Sequence, residues 1–546
     1  MRSIRFLLSC LAPKLRWLIL AAGCLGALGH LLALSSILLL LLTLAQEVTP
    51  ALGLPLAVVL GLSRGALSYG EQYVNHLVAF LTLRDIRARV YEALERLAPY
   101  RLENDRQGAL ISAVTADIET LEVFYAHTLS PLFIAVTVGL AASLMVGLLS
   151  SFALAGIYLA GFLLIGCLAP LGHYQALRRK AQSYRGELSE LTAACLESIR
   201  GSREIVFNRL EDTRARQLAA ASERAGALLA DGRIRSRIGS RLTALGLALV
   251  MLALALYGAL SLRQGQLSLA QTLVGVGLSL SAFTPALSLS ELPGNLAQTF
   301  ASAKRIRDLV EEEPKVREIR DERAKLHSIE LRLENISYSY GGESILKDVS
   351  GDFPSSGLYA IVGPSGGGKS TLLKLILRHM DPQGGRITLG GEDIRQIDAG
   401  FLRQTIAMMD QSTHLFNESI ADNMLEAAPQ ADRGSIHSAL RQANAEAFVA
   451  AMPAQEETEI ALNATNISTG QKQRIGLARV LLRQAPILLL DEPTSNVDTQ
   501  TEKLMMDAIT DYAREHLVIL VTHRENPLVC ADRILALSDG KLTVKK

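Results

Sequence analysis

The feature that most constrains this chain is a pair of long stretches that carry no charged side chain. Residues 17–45 and residues 128–172 contain no Asp, Glu, Lys or Arg. A helix needs about 20 apolar residues to cross the hydrocarbon core of a bilayer. As one helix, residues 128–172 would reach roughly 65 Å, about twice that thickness. This stretch therefore predicts two membrane spans joined by a tight turn near residues 147–151.

Three more stretches complete a set of six predicted spans. Residues 50–83 form the second span, residues 242–262 the fifth and residues 267–290 the sixth, in which Pro285 predicts a bend. The basic N-terminus followed by apolar residues resembles a secretory signal peptide. That interpretation is rejected because the apolar run is too long and no small-residue cleavage site ends it. We expect residues 1–310 to form a six-helix transmembrane domain.

Basic residues mark one side of the predicted membrane. The loops between spans two and three and between spans four and five are rich in arginine, whereas the opposite loops are short and nearly uncharged. The positive-inside rule then predicts that both termini and both long loops are cytoplasmic. Residues 83–97 place apolar side chains at helical spacing, so the spans are expected to continue into the cytoplasm as helical rods.

Three ionisable side chains, Arg64, Glu71 and His76, lie inside or near the end of the second span. Such groups are costly at membrane depth and usually face a cavity or a polar partner. Arg64 and Glu71 are seven residues apart and therefore lie on one helix face. Two interpretations stay open. The residues line a polar cavity for cargo, or they have a structural role, either as a polar contact with the other half or at positions already at the cytoplasmic interface.

Composition argues against two classes of function. The formal net charge of +1 gives no overall field that would attract nucleic acid. The five cysteines show neither a CxxC pair nor metal-ligand spacing, so we interpret them as free thiols.

A charged segment, residues 311–328, predicts a linker to a globular domain at residues 329–546. One strand there runs directly into GPSGGGKS and then into an amphipathic helix, which is the pattern GxxxxGK[ST] in its required context. Backbone N–H groups of such a loop surround phosphate oxygens, so Lys369 is expected to pair with the β- and γ-phosphates of ATP and Ser370 to bind Mg²⁺. The sequence thus predicts an α/β P-loop NTPase domain. The predicted binding residues of its loop are Gly363, Pro364, Ser365, Gly366, Gly367, Gly368, Lys369, Ser370 and Thr371.

Two later hydrophobic strands end in polar residues that suit ATP hydrolysis. Residues 487–490 precede Asp491 and Glu492, and the strand LVILVTH ends at His523. Strands that end at the same sheet edge bring their terminal side chains together. We expect Asp491 to hold Mg²⁺, Glu492 to polarise the attacking water and His523 to contact the γ-phosphate. A purely structural histidine is the alternative for His523.

Between these phosphate-binding motifs, residues 467–479 read ISTGQKQRIGLAR and resemble the signature sequence of ATP-binding cassette (ABC) transporters. A membrane domain followed by a nucleotide domain is the arrangement of the exporters in that family. The resemblance implies a type I ABC exporter fold and ATP-driven export across the plasma (inner) membrane of a bacterium. It also implies that Gln411 contacts the metal, that Tyr340 stacks on adenine, and that further nucleotide contacts come from Ser468, Gly470, Gln471 and Asp498.

The same resemblance implies that two nucleotide domains close head to tail around two ATP molecules, with lipid around the spans. The P-loop of each half would then face the signature of the other. Thr469 replaces a usual glycine of the signature and adds a Cβ where backbone approaches phosphate, so we expect weakened rather than lost binding. Residues 102–108 and residues 201–210 are expected to be short helices that press on the nucleotide domains.

Residues 68–99 and residues 106–132 are similar to segments of the CydC subunits of CydDC exporters. That similarity implies a CydD-like partner half and a small cargo, either a thiol such as cysteine or glutathione, an amino acid or a haem-related molecule. Pairing with a second copy of this chain, a multidrug- or lipid-type exporter, and a regulatory membrane protein that binds ATP without pumping remain alternatives. The polar groups of span two favour a small polar cargo, and Glu492 and His523 favour hydrolysis over binding alone.

Overall fold

The computed structural model describes residues 2–98, 100, 110–111, 113–290, 292–316 and 328–545. The chain divides into two compact units, Met1–Glu313 and Pro314–Lys546. The division falls within the charged segment that is predicted to be a linker, of which residues 317–327 lie outside the described residues.

The first unit is helical. Within the described residues, six helical segments are long and apolar enough to cross a membrane, which confirms the prediction of six spans; they are Pro13–Leu44, Pro50–Leu97, Ala113–Leu149, Phe152–Leu171, Glu211–Arg263 and Leu269–Val310. In chain order its α-helices are α1 (Arg2–Cys10), α2 (Pro13–Leu44), α3 (Pro50–Leu97), α4 (Ile118–Thr120), α5 (Glu122–His127), α6 (Leu129–Leu149), α7 (Phe152–Leu163), α8 (Ala169–Arg200), α9 (Ser202–Phe207), α10 (Glu211–Arg263), α11 (Leu269–Ser281), α12 (Thr284–Ser290) and α13 (Leu292–Val310). Two π-helical segments, Ala113–Asp117 and Leu164–Leu168, adjoin them.

Two interruptions lie where the sequence predicts them. Between spans three and four the chain turns after α6, and the hydroxyl of Ser151 accepts a hydrogen bond from the N–H of Ala153 at 3.2 Å, which caps α7. In the last span α11 ends and α12 begins at Thr284. Pro285 then occupies the first turn of the new helix, where the missing N–H of proline does no harm.

Several helices are longer than a bilayer is thick. Helix α3 has 48 residues and α10 has 53, which at 1.5 Å per residue is roughly 70 to 80 Å. They therefore extend well beyond the roughly 30 Å hydrocarbon core, as expected for helical rods. Between α8 and α10, the short helix α9 leaves Val206 and Phe207 exposed. Its contact with a nucleotide domain stays a prediction, and the companion segment, residues 102–108, lies outside the described residues.

The described residues of the second unit form two sheets. A four-stranded sheet has the order β2-β1-β4-β5 and a six-stranded sheet the order β10-β9-β3-β8-β7-β6. The strands are β1 (Leu331–Tyr340), β2 (Glu343–Phe353), β3 (Gly357–Val362), β4 (Gly384–Leu389), β5 (Glu392–Asp393), β6 (Ile406–Met409), β7 (Ile487–Asp491), β8 (Leu517–Val521), β9 (Arg533–Ser538) and β10 (Lys541–Val544). The α-helices are α14 (Lys369–Ile376), α15 (Ala399–Thr405), α16 (Ile420–Leu425), α17 (Arg433–Gln442), α18 (Glu446–Ala450), α19 (Thr469–Leu482), α20 (Thr499–Ala513) and α21 (Asn526–Val529).

The six-stranded sheet sets the position of the candidate site. Its strands β3, β8, β7 and β6 pair in parallel, so their carboxyl ends share one edge. At this edge the three strands end side by side. Val521 of β8 pairs with Ile361 of β3 on one side and with Asp491 of β7 on the other. All five side chains of β7 and all five of β8 are buried, as expected for inner strands of a parallel sheet.

Candidate functional site

The loop between β3 and α14 contains glycines at positions where a side chain would clash or strain the backbone. A Cβ added to Gly363 would lie 2.1 Å from the carbonyl oxygen of Leu537. Gly366 and Gly368 have φ angles of +77° and +91°, in the left-handed region. The remaining loop residues of the predicted set, Pro364, Ser365 and Gly367, lie in the same loop, and Ser370 and Thr371 lie in the first turn of α14. The glycines therefore let the backbone of the loop pack closely against neighbouring residues such as Leu537.

Lys369 folds back over this loop. Its Nζ atom donates hydrogen bonds to the carbonyl oxygens of Gly363 at 3.1 Å and Pro364 at 2.8 Å. Burial lowers the pKa of Lys369, and the carboxylates of Glu492 and Asp491 oppose that shift. The ammonium group is thus held at the mouth of the loop, close to two acidic groups.

Asp491 and Ser370 face each other across the strand edge. The Ser370 hydroxyl donates to Oδ2 of Asp491 at 2.7 Å. Burial raises the pKa of Asp491 and the neighbouring acids Glu492 and Asp410 raise it further, while the Ser370 hydrogen bond lowers it. A buried carboxylate beside a hydroxyl is a pair of oxygen donors of the kind that Mg²⁺ prefers. These residues fit a Mg²⁺ ion.

The Glu492 carboxylate is contacted by two side chains, one at each of its oxygen atoms. The Gln411 side-chain amide donates to Oε2 of Glu492 at 2.9 Å, and Nε2 of His523 lies 3.3 Å from Oε1. The backbone of Glu492 has a φ of +50°, and its N–H donates to the carbonyl oxygen of Val521 at 2.9 Å. A non-glycine residue in this region carries strain of about 1–3 kcal/mol, which is common at functional sites. In this backbone conformation the carboxylate contacts both Gln411 and His523.

Six of the predicted site residues thus lie along one edge of the six-stranded sheet; they are Lys369, Ser370, Gln411, Asp491, Glu492 and His523. Tyr340 lies apart from them at the end of β1, in the other sheet. Its ring packs edge-on against Tyr338 at 5.0 Å between centroids, and its hydroxyl lies 3.5 Å from Sδ of Met380. The Tyr340 side chain is exposed, and its stacking on adenine stays a prediction.

The signature residues build the start of α19. The Ser468 hydroxyl accepts from the N–H of Gln471 at 3.2 Å, and the Gln471 side chain accepts from the N–H of Ser468 at 2.9 Å, so the two form a capping box. Ser468 and Thr469 are exposed, whereas a Cβ on Gly470 would lie 3.0 Å from the carbonyl oxygen of Asn496. The helix end is therefore free to meet another molecule, and Thr469 meets no obstacle within its own chain.

Asp498 has a structural position at the start of α20. Its Oδ1 atom accepts from the N–H of Thr501 at 2.9 Å and its Oδ2 atom from the Thr501 hydroxyl at 2.7 Å. These hydrogen bonds lower the pKa of Asp498 and keep it ionised as a helix cap. Its predicted contact with nucleotide stays a prediction.

Sequence reasoning missed the polar network that ties these loops together. Glu502 is buried and accepts from Arg524 at 2.8 Å, from Asn526 at 3.1 Å and from Thr494 at 3.0 Å. Arg524 also donates to the carbonyl oxygen of Ser495 at 2.9 Å. The one available signal was the position of Arg524 directly after His523. This network fixes the segment after Glu492 against the segment after β8.

A second bridge, also missed, joins that segment to α19. The Gln473 side chain donates to the Ser495 hydroxyl at 2.9 Å and accepts from the N–H of Asn496 at 3.1 Å. Gln473 is buried, so the exposed signature end and the edge that holds Glu492 are connected through α19.

In the membrane unit, Glu71 and Arg64 both approach α2. Glu71 is buried and accepts hydrogen bonds from Ser130 at 3.1 Å and from Asn75 at 3.4 Å. A Cβ on Gly26 would lie 2.6 Å from its Oε2 atom, and Arg64 packs by Gly29, one turn along α2. The contacts of Glu71 therefore lie within this half. His76 lies 3.1 Å from Glu122.

Comparison with known proteins decides the family. The family model described as ABC transporter transmembrane region matches residues 19–285, and the one described as ABC transporter matches residues 346–495. A protein of Haemophilus influenzae named as a probable ABC transporter ATP-binding/permease protein is 35% identical over 89% of this chain and 88% of its own length. This chain belongs to the ABC transporter family. Its ATPase activity is therefore coupled to transport.

Two further comparisons bear on fold and cargo. The transporter matches the structure of a bacterial Atm1-family ABC exporter with ATP bound, with a TM-score of 0.86, 22% identity and coverage of 97% of this chain and 94% of the other. That match gives the type I exporter fold. The CydC protein of the Escherichia coli glutathione/L-cysteine transport system is 30% identical over 90% of this chain and 86% of its own. Relatives of 28–30% identity are named as a multidrug export protein and as lipid A-core flippases.

Proposed function

We propose that this half-transporter hydrolyses ATP with the strand-edge residues Lys369, Glu492 and His523. Glu492 would accept a proton from the water whose oxygen attacks the γ-phosphorus, and ADP would leave. Lys369 and His523 would hold the γ-phosphate. The observation that carries this proposal is the Glu492 carboxylate, which is held between Gln411 and His523 beside the buried Asp491. Binding alone does not require such a carboxylate.

The same edge supports a Mg²⁺ site made by Ser370, Asp491 and Gln411. Mg²⁺, when bound, neutralises charge on the phosphate oxygens. Asp491 and Ser370 already lie within hydrogen-bond distance, so a small rearrangement would direct both oxygens to one ion. In the structure the Gln411 side chain donates a hydrogen bond to Glu492. Binding of Mg²⁺ by Gln411 would therefore also affect the position of the Glu492 carboxylate.

Pairing with a second half would complete each ATP site. The exposed ends of Ser468 and Thr469 support the proposal that this signature serves the ATP of a partner. The capping box leaves the N-terminus of α19 pointing outward, where a phosphate would be stabilised by the helix dipole. The partner would be a CydD-like half or a second copy of this chain.

For the cargo we propose a small polar molecule, with a thiol such as cysteine or glutathione first and an amino acid or haem-related molecule next. Support comes from the ionisable Arg64 in the second span and from the 30% identity to the Escherichia coli CydC protein. Arg64 would suit an anionic or zwitterionic molecule better than an oily one. The arginine-rich loops further support cytoplasmic termini and a place in a bacterial inner membrane.

A multidrug- or lipid-type exporter is the second candidate. It is favoured by the names of relatives with nearly the same identity and coverage as the CydC protein. The two candidates differ in what the membrane half must hold. Replacing Arg64 should affect export of an anionic or zwitterionic cargo and leave a lipid cargo much less affected.

Transport into inside-out membrane vesicles tests this proposal. The chain would be co-expressed with a CydD-like half, and uptake of labelled cysteine, glutathione or haem would be measured with and without ATP. We expect ATP-dependent uptake of one of these compounds that is lost in Lys369→Ala. The exposed variant Lys503→Ala is the matched control and should transport normally.

Two other results would contradict the cargo assignment. If none of the compounds is taken up or changes the ATPase rate while a fluorescent lipid or drug does both, the second candidate is correct. If nothing is transported although ATP is bound, the alternative of an ATP-gated regulatory membrane protein without pumping is favoured.

A further inference from the structure

Three metal-ligating side chains converge in the membrane unit, outside the nucleotide site. They are His76 on α3 and Glu122 and His127 at the two ends of α5. Each offers one ligand atom, and these atoms all lie within 4.8 Å of one another. Nδ1 of His76 and Oε1 of Glu122 are 3.1 Å apart. We propose that this cluster is a binding site for a divalent transition-metal ion, with zinc as the ion it suits best.

The distances are close to those that zinc requires. With metal–ligand bonds of about 2.0–2.1 Å in tetrahedral geometry, neighbouring ligand atoms lie about 3.3 Å apart. The His76–Glu122 pair already has that spacing. His127 is exposed, so its ring can move by the remaining distance without repacking the core. Two imidazoles and a carboxylate are a ligand set found in zinc sites that keep a fourth position open.

The two ligands from α5 stand at opposite ends of that short helix. Positions five apart in an α-helix project about 140° from each other. Both side chains nevertheless reach His76, because the three ligand atoms all lie within 4.8 Å of one another. The rings of His76 and His127 meet edge-on at 76° with centroids 5.1 Å apart.

An ordinary ion pair accounts for only part of this cluster. His76 and Glu122 would form a complete pair without a third group, so that pair does not explain why the His127 ring also lies within 4.8 Å of both ligand atoms. A metal ion would use all three side chains. The side chains of His76 and Glu122 are 36% and 31% exposed, so the cluster is not sealed inside the protein.

The location makes the site reachable for an ion from water. His76 comes about 26 residues after the start of α3, or roughly 39 Å along the helix, beyond the roughly 30 Å of a bilayer core. A bound ion would connect the second span to the third at that end. It would thereby fix the distance between α3 and α5, while the open position stays available to a water molecule or a soft ligand.

Zinc binding by the full-length chain tests this inference. The protein would be purified without a histidine tag into lipid nanodiscs, stripped with a chelator and titrated with zinc against a competing dye. We expect one zinc ion per chain and an affinity at least tenfold lower in His76→Ala and in His127→Ala. His437→Ala is the matched control, because His437 lies 3.6 Å from Glu456 and forms a comparable pair in the nucleotide unit. It should bind zinc like the wild type.

Zinc-edge X-ray absorption on the wild-type protein decides the case even if a variant fails to fold. Two imidazoles and one carboxylate around the bound ion are expected. Equal zinc binding in the wild type and the His76 and His127 variants would overturn the inference. So would the absence of stoichiometric binding, or a spectrum in which oxygen ligands alone surround the ion.

Discussion

The nucleotide site and the polar positions of the membrane half are built in opposite ways. In the nucleotide unit the side chains follow the ends of adjacent parallel strands, and the sheet itself sets their spacing: Ser370 lies 2.7 Å from Asp491 and Gln411 lies 2.9 Å from Glu492. In the membrane unit the Glu71 carboxylate meets Ser130 from another helix at 3.1 Å. That contact depends on how two helices are rotated against each other. Sheet topology can be read from sequence motifs, whereas helix rotation cannot.

The two regions also differ in how they hold a buried carboxylate. Asp491 is 6% exposed and Glu71 is 8% exposed, so both groups are removed from water. Asp491 lies close enough to Lys369 for the ammonium to act on it. Glu71 accepts its hydrogen bonds from neutral groups, the Ser130 hydroxyl and the Asn75 amide. We therefore expect the charge to matter at Asp491 and hydrogen bonding alone to matter for the fold at Glu71.

The largest expected effect separates these carboxylates. Asp491→Asn keeps the shape of the side chain but removes its charge, so we expect ATPase activity to fall at least about 100-fold because Mg²⁺ is no longer held. The matched swap Glu71→Gln should leave the ATPase rate without cargo within about twofold, since an amide can still accept from Ser130. Phosphate release by the purified pair measures both. Comparable losses of ATPase activity in the two variants would contradict the claim that charge matters at Asp491 but not at Glu71.

The next effect concerns the Glu502 network, which the sequence did not reveal. Removing Arg524 leaves a carboxylate with 3% exposure without its cation. Because Arg524 is itself 38% exposed, we discount the usual cost of breaking a buried pair and expect about 2 kcal/mol, or roughly 5 °C in the unfolding temperature. The control Arg514→Ala, from an exposed pair with Asp511, should change stability by less than about 0.5 kcal/mol.

The pH dependence of the Arg524→Ala effect sharpens that test. Burial raises the pKa of Glu502, but the hydrogen bonds from Arg524, Asn526 and Thr494 outweigh burial and leave the pKa below its ordinary value. The contribution of a lowered carboxyl pKa is complete above the unfolded pKa of about 4.3 and is lost as the pH falls through the folded value. The stability difference between wild type and variant should therefore be constant near neutral pH and shrink below about pH 4. A difference that grows on acidification would contradict this account.

A smaller effect tests the helix contact that holds Glu71. A Cβ on Gly26 would lie 2.4 Å from Cδ1 of Ile134 and 2.6 Å from Oε2 of Glu71, so Gly26→Ala must displace both side chains. We expect a cost of about 1–2 kcal/mol, seen as a lower unfolding temperature in detergent. Gly65 on α3 has nothing within 4 Å of such a Cβ, and Gly65→Ala is the matched control. Equal unfolding temperatures of the two variants would show that Gly26 is not closely packed against Ile134 and Glu71.

The smallest effect concerns the signature. Thr469 is exposed at the start of α19, so Thr469→Gly should leave folding almost unchanged. Because it removes a Cβ from the place where a partner's ATP would approach, we expect the ATPase rate of the pair to rise about two- to fivefold. A rate that is unchanged or lower would show that Thr469 does not restrict the approach of ATP.

Much of this architecture could be predicted from the sequence, for reasons that single residues illustrate. The uncharged runs fixed six spans and the turn near Ser151, because bilayer thickness sets the length of a helix. GPSGGGKS placed the phosphate loop, because Gly363, Gly366 and Gly368 are conformationally required there. The strand ends placed Asp491, Glu492 and His523, because parallel strands in one sheet share an edge.

The remainder could not be predicted, since it depends on contacts between residues far apart in the chain. Nothing in the sequence near Glu71 points to Gly26 or Ser130, and nothing near His76 points to His127. The positive φ of Glu492 has the same character, because the hydrogen bond to Val521 of the neighbouring strand holds it. Arg524 follows directly after His523, yet its pairing with Glu502 requires the fold of α20.

The most direct test of the account is the fate of ATP in Glu492→Gln. The variant chain would be paired with a partner half whose own P-loop lysine is replaced, so that one site alone can turn over. We expect that the pair binds ATP with Mg²⁺ and retains it uncleaved, while phosphate release falls at least about 100-fold. Hydrolysis at the wild-type rate in this pair would contradict the central claim that Glu492, held by Gln411 and His523, converts ATP binding into turnover.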